Sequence, residues 1–323
     1  MVLGDHLRVL INAIGIQDSG GIVVLEKLLN ELLIDNKDHT FLFFISKNIQ
    51  TNVLIKKYNK YKNFEFKSIA IKGYLDRLLY ENIFFRKYVK KYKIDLIYNF
   101  SGTNQFFIKI PKLIKVQNLL FYSQKLDKYY KKKSKYFLWI KQILLKRQLF
   151  KFMLLNASFI EIQSKHVQRY LSEYINLASK TFFIKSDIDS NDYSFKAPCK
   201  YNFSKRVKIL FIVGPHFENL NKNFSDFKDA MLKLKEAGVN FEINITLTKE
   251  ELNASSLWDR SLNSITKFHG YLKDQKEIDR LYSDNTILIS TSVIESIGLH
   301  VVDAIKKGVL FIAPGETYAK EVY

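Results

Sequence analysis

The order of apolar and polar positions predicts a strand–helix–strand unit at the start of the chain. A continuous apolar run covers residues 8–16, which is typical of a buried strand. A glycine-containing turn, QDSGG, follows it, and residues 22–33 then repeat apolar positions at helical spacing. A second buried-strand pattern covers residues 39–46. Strand, loop, helix and strand form a βαβ unit, which predicts a parallel sheet.

The same alternation continues along the chain and is interrupted once. Further short strands are predicted in the first half at residues 94–101, 112–118 and 157–164. A polar, aperiodic stretch at residues 186–205 contains Pro198, and we interpret it as a linker. A second α/β pattern begins at residue 206. We therefore predict two Rossmann-like domains, residues 1–185 and 206–323, which face each other across a ligand-binding cleft.

Length and composition support a folded two-domain protein. The chain has 323 residues, which suits two cores of about 150 residues each, and 47 % of them are hydrophobic, which argues against disorder. Cys199 is the only cysteine, so an intrachain disulfide and a thiolate metal cluster are excluded. Asp5 and His6 stand where a signal peptide would carry its basic start, and no apolar run is long enough to span a membrane. We therefore expect a cytoplasmic protein without a spanning helix.

The charge distribution predicts an anionic partner. The formal net charge is +19, and residues 109–151 hold thirteen basic residues and one acid, Asp127, interleaved with aromatic and aliphatic side chains. Three interpretations are open: a solvated helical face, a surface that contacts anionic membrane lipids, and a groove for nucleic acid. The abundance of Lys, Asn, Ile, Tyr and Phe indicates an AT-rich, bacterial genome.

The stretch ESIGLHVVDA at residues 295–304 carries the clearest candidate chemistry. The loop before it ends at Gly298, so a helix is predicted to begin at Leu299, where free amides and the helix dipole attract an anion. Asp303 lies one turn further along the same face, and Glu295 precedes the helix. One ligand would then contact all three parts. The alternative, a solvated Asp303 and a Glu295 that only shapes a turn, has equal weight on geometry alone.

The same stretch also resembles a known family. Its extension ESIGLHVVDAIKKGVLFIAP looks like the Glu-(seven residues)-Glu region of the retaining GT-B glycosyltransferases of group 4, whose usual form is ESFGLPVLEAMACGVPVIAS. Other segments resemble family segments in the same order, namely RVLINAIGIQDSGGIVVLEKLLNELL, ASFIEIQSKHVQRYLSE, VKILFIVGPHFENLNKNFSDFKDAMLKLKEAG and FHGYLKDQKEIDRLYSDNTILISTSVIES. Because the resemblance covers nearly the whole chain, it is more specific than any single motif.

The resemblance implies a reaction and a set of site residues. The family transfers a sugar from a nucleotide-diphosphate sugar with retention of configuration, and it needs neither a divalent metal nor another cofactor. Lys222 matches the lysine that neutralises the donor diphosphate, and Glu295 matches the first Glu, beside the transferred sugar. Asp303 stands in place of the second Glu, which binds the ribose hydroxyls, and a shorter carboxylate accepts the same bonds. Amides near Gly298 and Leu299 would hold the diphosphate and sugar hydroxyls.

The resemblance also assigns the two predicted domains. The first would lie on the acceptor side, and the second would bind the nucleotide sugar. The turns at Gly20–Gly21 and near Gly214 each follow a strand and precede a helix, so both are expected to face the cleft. Gly21 would let the backbone of the first domain approach the donor.

Several positions depart from the family pattern. His216 stands near the position of a family arginine, Gln117 replaces a family histidine, and His300 occupies a position where the family often has proline. All three are expected at the cleft without an assigned role. The chain also stops at Tyr323, earlier than family members do, so an incomplete second domain is expected. These departures keep two alternatives open, a catalytically impaired partner subunit and a nucleotide-sugar epimerase of the same fold.

The leading expectation is a hexosyltransferase that extends a lipid-linked bacterial surface glycan, such as an O-antigen, another lipopolysaccharide part or a capsule. With such an acceptor, the membrane surface and the solvated face become the favoured interpretations of residues 109–151, and nucleic acid is not expected. No metal site is expected either. We interpret Asp187 and Asp189 as turn residues of the linker, and the six histidines have no metal-ligand spacing.

Overall fold

The chain folds into two compact units, each built around a parallel sheet. The computed structural model describes residues 6–16, 19–35, 38–117, 119, 122–185, 196–214, 216–272 and 275–321. Unit 1 comprises Met1–Phe121 and Leu144–Asp187, and unit 2 comprises Tyr122–Ile143 and Ile188–Tyr323. Segment 122–143 thus groups with unit 2, whereas the sequence interpretation placed all of residues 1–185 in one domain. The predicted linker at 186–205 lies partly outside the described residues.

Unit 1 contains seven parallel strands within its described residues, in the spatial order β3-β2-β1-β4-β5-β6-β7. They are β1 (Arg8–Ala13), β2 (Thr40–Ser46), β3 (Phe64–Ile69), β4 (Leu96–Asn99), β5 (Lys112–Val116), β6 (Phe159–Ile162) and β7 (Thr181–Ile184). The sequence pattern predicted β1, β2, β4, β5 and β6 but missed β3 and β7. Both are edge strands. Polar residues interrupt β3 (FEFKSI), and β7 (TFFI) has only three consecutive apolar residues, so neither shows the long apolar run of a central buried strand.

Helices follow the strands along the chain. Up to residue 174 they are α1 (Ser19–Asp35), α2 (Ile49–Tyr58), α3 (Tyr74–Tyr92), α4 (Gln124–Lys132), α5 (Tyr136–Trp139), α6 (Leu145–Leu155) and α7 (Lys165–Tyr174). A π-helical stretch at Ile140–Leu144 connects α5 to α6. The start of α2 shows how local sequence sets a boundary, because the Asn48 side chain accepts a hydrogen bond from Thr51 N at 2.9 Å and Thr51 Oγ1 accepts one from Asn48 N.

Both faces of the unit 1 sheet are buried. Ile11 and Phe43 pack on one face with Leu29 of α1, and Leu10 and Phe85 pack on the other, the latter from α3. Apolar side chains on both faces explain the continuous apolar runs of the central strands.

Unit 2 contains five parallel strands in its described part, in the order β10-β9-β8-β11-β12. They are β8 (Val207–Phe211), β9 (Phe241–Ile245), β10 (Thr266–Phe268), β11 (Thr286–Ile289) and β12 (Leu310–Ile312). The later helices are α8 (Phe224–Glu236), α9 (Lys249–Ala254), α10 (Gln275–Leu281), α11 (Leu299–Lys306) and α12 (Thr317–Glu321). Phe227 of α8 and Val301 of α11 belong to different core clusters, which cover the two faces of the sheet. The predicted α/β architecture with two parallel sheets is confirmed.

No described helix combines the length and the apolar character that a membrane crossing requires.

Candidate functional site

The candidate site lies at the carboxyl ends of β8 and β11 in unit 2. The chain runs from β8 outward through β9 and β10 on one side, and then from β11 outward to β12 on the other. Parallel sheets bind ligands where the order reverses in this way, outside the carboxyl ends of the strands. Two loops lie at this point, one between β8 and α8 and one between β11 and α11.

Hydrogen bonds tie the two loops together. Val293 N donates to Asn221 O at 2.8 Å, and Thr291 Oγ1 donates to Lys222 O at 2.8 Å. Leu220–Lys222 form a 3-10 turn, which ends at Asn223 in the left-handed conformation. The 3-10 turn and the hydrogen bond from Thr291 therefore hold the Lys222 backbone in place. This fixes the point from which the Lys222 side chain extends.

An ion pair joins the ends of the two loops. Lys222 Nζ lies 2.5 Å from Glu295 Oε1, and the two side chains are 29 % and 20 % exposed. Burial alone would raise the pKa of Glu295, but the Lys222 ammonium, His300 and hydrogen bonds from Lys222 and Ser292 together lower it below its ordinary value. Glu295 is therefore ionised at neutral pH and forms a charged pair that a solvent-borne ligand can reach.

His300 is held as a neutral side chain next to this pair. Its Nε2 atom lies 2.8 Å from Ser290 Oγ, a hydrogen bond whose direction depends on the tautomer. Burial lowers the pKa of His300 to about 4, and the nearby Lys222 acts in the same direction, while Glu295 only partly opposes them. At neutral pH the imidazole thus offers one donor and one acceptor without adding charge to the site.

Gly298 sets the start of α11. Its φ is +72°, and an added Cβ would lie 3.0 Å from Tyr318 Cδ2, so only glycine fits this position without strain. Val301 N and Val302 N both donate to Gly298 O. The amides of Leu299 and His300 precede the first intrahelical donors, an arrangement that favours an anion at a helix start.

Asp303 lies one turn into α11 and is half-buried. Burial raises the pKa of the Tyr282 phenol well above its ordinary value, and the Asp303 carboxylate contributes to this rise, so the two side chains are close. The Tyr282 hydroxyl donates to His300 O at 3.0 Å. Tyr282 therefore supports the first turn of α11 from the side on which Asp303 lies.

The structure brings together only part of the predicted site. Lys222, Glu295, Gly298, Leu299, His300 and Asp303 all lie on the two loops and the first turns of α11 in unit 2. Gly214 and His216 follow β8 in the same unit and are exposed. The catalytic and donor-binding roles assigned to these residues stay predictions.

The predicted residues of unit 1 are a separate group. Gln117 follows β5 and is half-buried. A loop was predicted at Gly20 and Gly21, and this is wrong. The helix α1 begins at Ser19, so both glycines lie in its first turn. The approach of these residues to a donor, and the cleft between the two domains, stay predictions.

Sequence reasoning missed a buried polar cluster at the carboxyl edge of the unit 1 sheet. Arg77 Nε lies 2.6 Å from Glu81 Oε1, and Arg77 Nη2 donates to Thr103 Oγ1 at 2.5 Å and to Ser101 Oγ at 2.6 Å. An added Cβ at Gly15 would lie 2.1 Å from Arg77 Nη1, so the guanidinium lies directly against that glycine.

Two buried asparagines continue this cluster. Asn12 Nδ2 donates to Asn99 Oδ1 at 3.1 Å, and both side chains are fully buried at the carboxyl ends of β1 and β4. A signal for them existed, because each asparagine interrupts an otherwise apolar strand run. No comparable sequence signal distinguishes Arg77, which lies among many other basic residues.

The basic segment 109–151 is less uniform than its sequence indicates. Lys112 Nζ is buried and donates to Gln105 O and Ile108 O, which satisfies it within the fold. Lys115 is also buried, 2.7 Å from Glu161 Oε1. Arg147 is buried against the Tyr174 ring. The basic residues of this segment therefore do not all lie on its surface. The exposed basic residues of its unit 2 part, as far as the structure describes them, are Lys128, Lys131, Lys132, Lys133, Lys135 and Lys141.

Within the described ranges, no group of three or more His, Cys, Asp and Glu side chains is arranged to hold a metal ion. Asp187 and Asp189, interpreted above as turn residues, lie outside the described residues.

Comparisons with known proteins identify the fold. No family model matches the sequence, and no curated protein matches it. Among solved structures, the chain is similar to WaaG, a glycosyltransferase involved in lipopolysaccharide biosynthesis, with a TM-score of 0.59, 12 % identity and coverage of 98 % of this chain and 83 % of that one. The pneumococcal O-GlcNAc transferase GtfA in complex with UDP and GlcNAc gives a TM-score of 0.58, 10 % identity and coverage of 98 % and 86 %.

A third similar structure is a putative UDP-N-acetylglucosamine 2-epimerase from Listeria monocytogenes, with a TM-score of 0.52, 13 % identity and coverage of 98 % of this chain and 82 % of that one. At these identities the likeness establishes the architecture alone. The chain has the GT-B fold, the two-domain α/β fold of these glycosyltransferases.

Proposed function

We propose that this protein is a metal-independent, retaining glycosyltransferase that moves a hexosyl group from a nucleotide-diphosphate sugar to a growing, lipid-linked bacterial surface glycan. The observation that carries the proposal is the Lys222–Glu295 ion pair beside the start of α11, at the reversal point of the unit 2 sheet. The GT-B fold supports it, because similar structures include a lipopolysaccharide glycosyltransferase and a transferase with UDP bound.

The donor would occupy the carboxyl edge of the unit 2 sheet. Its diphosphate would accept hydrogen bonds from the first amides of α11, at Leu299 and His300, and would pair with the Lys222 ammonium. Asp303 would accept hydrogen bonds from the ribose hydroxyls one turn away. Glu295 would bind a hydroxyl of the transferred sugar.

Catalysis would be mainly electrostatic. The bond between the anomeric carbon and the diphosphate oxygen breaks while negative charge grows on the leaving diphosphate, which Lys222 and the α11 amides stabilise. The acceptor hydroxyl forms the new bond from the same side, and its proton passes to the departing diphosphate. No nucleophile from the protein is needed. Glu295, which is ionised at neutral pH, would hold the sugar and keep Lys222 in place until the donor arrives.

A donor panel tests this function. The protein is incubated with labelled UDP- and GDP-sugars, with and without a lipid-linked glycan acceptor and EDTA, and products are separated by chromatography. Transfer to the acceptor that persists in EDTA supports the proposal. Binding of a nucleotide sugar by calorimetry without turnover would indicate an impaired partner subunit instead. Loss of activity in EDTA would contradict metal independence.

An epimerase is the second candidate, because a structure described as a putative UDP-N-acetylglucosamine 2-epimerase shares this fold. The same panel distinguishes it. An epimerase changes the configuration of the free donor without any acceptor, whereas a transferase consumes donor in proportion to the acceptor that it glycosylates.

We also propose that the protein works in the cytoplasm as a peripheral protein at an anionic membrane surface. In unit 2 the exposed lysines around α4 and α5 lie next to three exposed apolar residues, Tyr136, Phe137 and Ile140. Phe137 is 75 % exposed, which a purely solvated helical face does not explain. Salt-sensitive flotation with anionic vesicles supports this contact, and the absence of binding at low salt would contradict it.

A further inference from the structure

The helix α4 contacts the 3-10 turn that carries Lys222. At this contact the half-buried Tyr129 donates a hydrogen bond from its hydroxyl to Asn223 Oδ1 at 2.7 Å, although 94 positions separate the two residues. Residues 122–143, called the inserted segment below, group with unit 2 but lie between two stretches of unit 1 in the sequence. A residue of the inserted segment thus bonds to the residue that directly follows Lys222.

Asn223 has an uncommon backbone conformation. Its φ is +49° and its ψ is 45°, in the left-handed region, where the chain passes from the 3-10 turn into α8. Asparagine tolerates this region better than most residues, and local hydrogen bonds of its side chain help to hold it there. Both ends of the amide are used here, because Oδ1 accepts from Tyr129 and Nδ2 donates to Asp226 Oδ2 at 2.6 Å. The Tyr129 hydroxyl therefore helps to fix the backbone at Asn223.

The conformation of Asn223 affects how the Lys222 side chain is presented. The Lys222 carbonyl already accepts a hydrogen bond from Thr291 Oγ1, and the Lys222 ammonium lies 2.5 Å from Glu295 Oε1. A change at Asn223 would rotate the peptide that joins it to Lys222 and would shift the ammonium relative to Glu295. Tyr129 would then act on Lys222 through Asn223.

The inserted segment is built in a way that keeps Tyr129 in place. Ser123 caps α4, because its Oγ atom accepts a hydrogen bond from Leu126 N at 3.1 Å. Leu126 is buried and precedes Tyr129 by three positions, so the two side chains share one side of the helix. Trp139 Nε1 on α5 donates to Asp127 Oδ1 on α4 at 2.8 Å. The only acid of the inserted segment is thus used to join its two helices.

We propose that Tyr129 is a positioning residue for Lys222, and that the inserted segment holds the loop between β8 and α8 in the conformation that binds the donor. The role depends on the hydrogen bond to Asn223 and needs no contact between Tyr129 and the donor. The inference rests on the proposed function, because it takes Lys222 as the cation that pairs with the donor diphosphate. It adds to the site a residue from the first half of the chain.

Hydrogen exchange of the turn tests the positioning directly. Lys222 N donates to Asn219 O and Asn223 N donates to Leu220 O, so exchange of these two amides reports how often the turn opens. In Tyr129→Phe both amides should exchange about fivefold faster, which corresponds to the loss of one hydrogen bond. Mass spectrometry of a peptide that spans the turn, or NMR of the two amides, measures the rates.

Tyr92→Phe in unit 1 is the matched control. Tyr92 is also half-buried, and its hydroxyl also donates to a distant side-chain oxygen, Glu65 Oε1 at 3.1 Å. The control therefore removes the same group and the same kind of hydrogen bond without touching the turn. Exchange at Lys222 and Asn223 should stay as in the unmodified protein.

A double-mutant cycle tests whether Tyr129 acts through Lys222. Tyr129→Phe should lower kcat/KM about tenfold, since a small displacement of a charge that stabilises the transition state is costly. Added to Lys222→Gln, it should cost no more than about twofold further, because no ammonium is then left to position. Calorimetric titration with UDP and with GDP repeats the cycle without turnover. Tyr129→Phe should weaken binding of the preferred nucleotide about threefold, and only while Lys222 is present.

The proposal is overturned if the two amides exchange equally fast in Tyr129→Phe and in the unmodified protein. It is also overturned if the losses from Tyr129→Phe and Lys222→Gln simply add. Thermal melting identifies a variant that fails to fold, and Asn223→Gly, which keeps the left-handed conformation but removes the acceptor, then replaces Tyr129→Phe. If Lys222→Gln loses activity and Tyr129→Phe does not, the positioning role fails alone. If the unmodified protein binds neither nucleotide and transfers no sugar, the proposed function fails and the role in catalysis fails with it.

Discussion

The carboxyl edges of the two sheets have the same topology but different polar chemistry. In unit 1 the reversal point lies between β1 and β4, where Asn12 and Asn99 bond to each other and Arg77 pairs with a fully buried Glu81. In unit 2 it lies between β8 and β11, where the Lys222–Glu295 pair is partly exposed.

This difference shows that topology alone does not identify a ligand site. Most polar groups of the unit 1 cluster bond to one another, but Glu81 Oε2 is buried there without a hydrogen-bond partner among the described residues. The charged pair of unit 2 is partly exposed and lies beside the first amides of α11, where we propose that the donor binds. The two edges thus share a strand order but differ in the exposure of their charged pairs, and a functional role has to be argued from such differences rather than from the fold.

The largest expected effect is on stability, in unit 1. Arg77→Gln would leave Glu81 buried without its cation, so we expect the free energy of unfolding to fall by about 3–5 kcal/mol. Denaturant titration followed by circular dichroism measures it. Arg86→Gln, on the same helix but exposed, is the control and should change stability by no more than about 0.5 kcal/mol. If the Arg77→Gln protein kept its stability but lost activity, Arg77 would act on a ligand rather than on the fold. The unit 1 edge would then be a ligand site.

The second effect is on activity, in unit 2. Lys222→Gln removes the cation proposed to stabilise the leaving diphosphate, so kcat/KM should fall by about 10²–10³. Stability should change by less than about 1 kcal/mol, because the ion pair is partly exposed. Steady-state kinetics and denaturant titration measure the two quantities, with Lys233→Gln, an exposed lysine on α8, as the control. Equal losses of activity in both variants would contradict a specific role for Lys222.

The third effect is a pH dependence that belongs to unit 2. The pKa of His300 is lowered to about 4 in the folded protein, against about 6.5 in an unfolded chain. The unfolded state therefore binds more protons between these values, and stability falls as the pH drops from 6.5 towards 4. These two values correspond to a loss of about 3 kcal/mol over this range.

His300→Gln tests this dependence. Glutamine keeps a hydrogen-bonding group near Ser290 but cannot titrate, so the slope between pH 6.5 and 4 should flatten. The pKa of Glu295 is lowered from its ordinary value of 4.5, so its contribution to stability is lost only as the pH falls below about 5. The slope between pH 6.5 and about 5 therefore reports His300. An unchanged slope would show that another group titrates in this range. His166→Gln, a buried histidine of unit 1, is the comparison variant.

The central strands and the unit 2 loops could be predicted from the sequence. Buried parallel strands leave continuous apolar runs, as in β1 and β8, and a glycine before a helix, such as Gly298, indicates where the chain turns. The resemblance to a family then assigned Lys222 and Glu295 to one site, although they are 73 positions apart in the sequence.

The unit 1 cluster and the exposure of Leu79 and Ile83 on α3 could not be predicted in the same way. Arg77 contacts Ser101 and Thr103 only because α3 packs across the sheet edge, and no local pattern records this contact. Leu79 and Ile83 have the spacing of a buried helical face, so their exposure appears only when the packing of α3 is known. The sequence pattern therefore does not determine which distant residues pack together or which side of a helix is exposed.

The smallest expected effect is on nucleotide binding and concerns Asp303 in unit 2. It tests how far along α11 the proposed ligand site extends. Asp303→Asn keeps the size of the side chain but removes the charge that would accept two ribose hydroxyls, so UDP or GDP binding should weaken about tenfold. Asp303→Glu should bind within about threefold of the unmodified protein, because the longer carboxylate accepts the same bonds. Isothermal calorimetry measures both, with the exposed Glu236→Gln as the control. If all variants bound nucleotide equally well, Asp303 would have only a structural role in α11. The proposed ligand site would then not extend along α11 as far as Asp303.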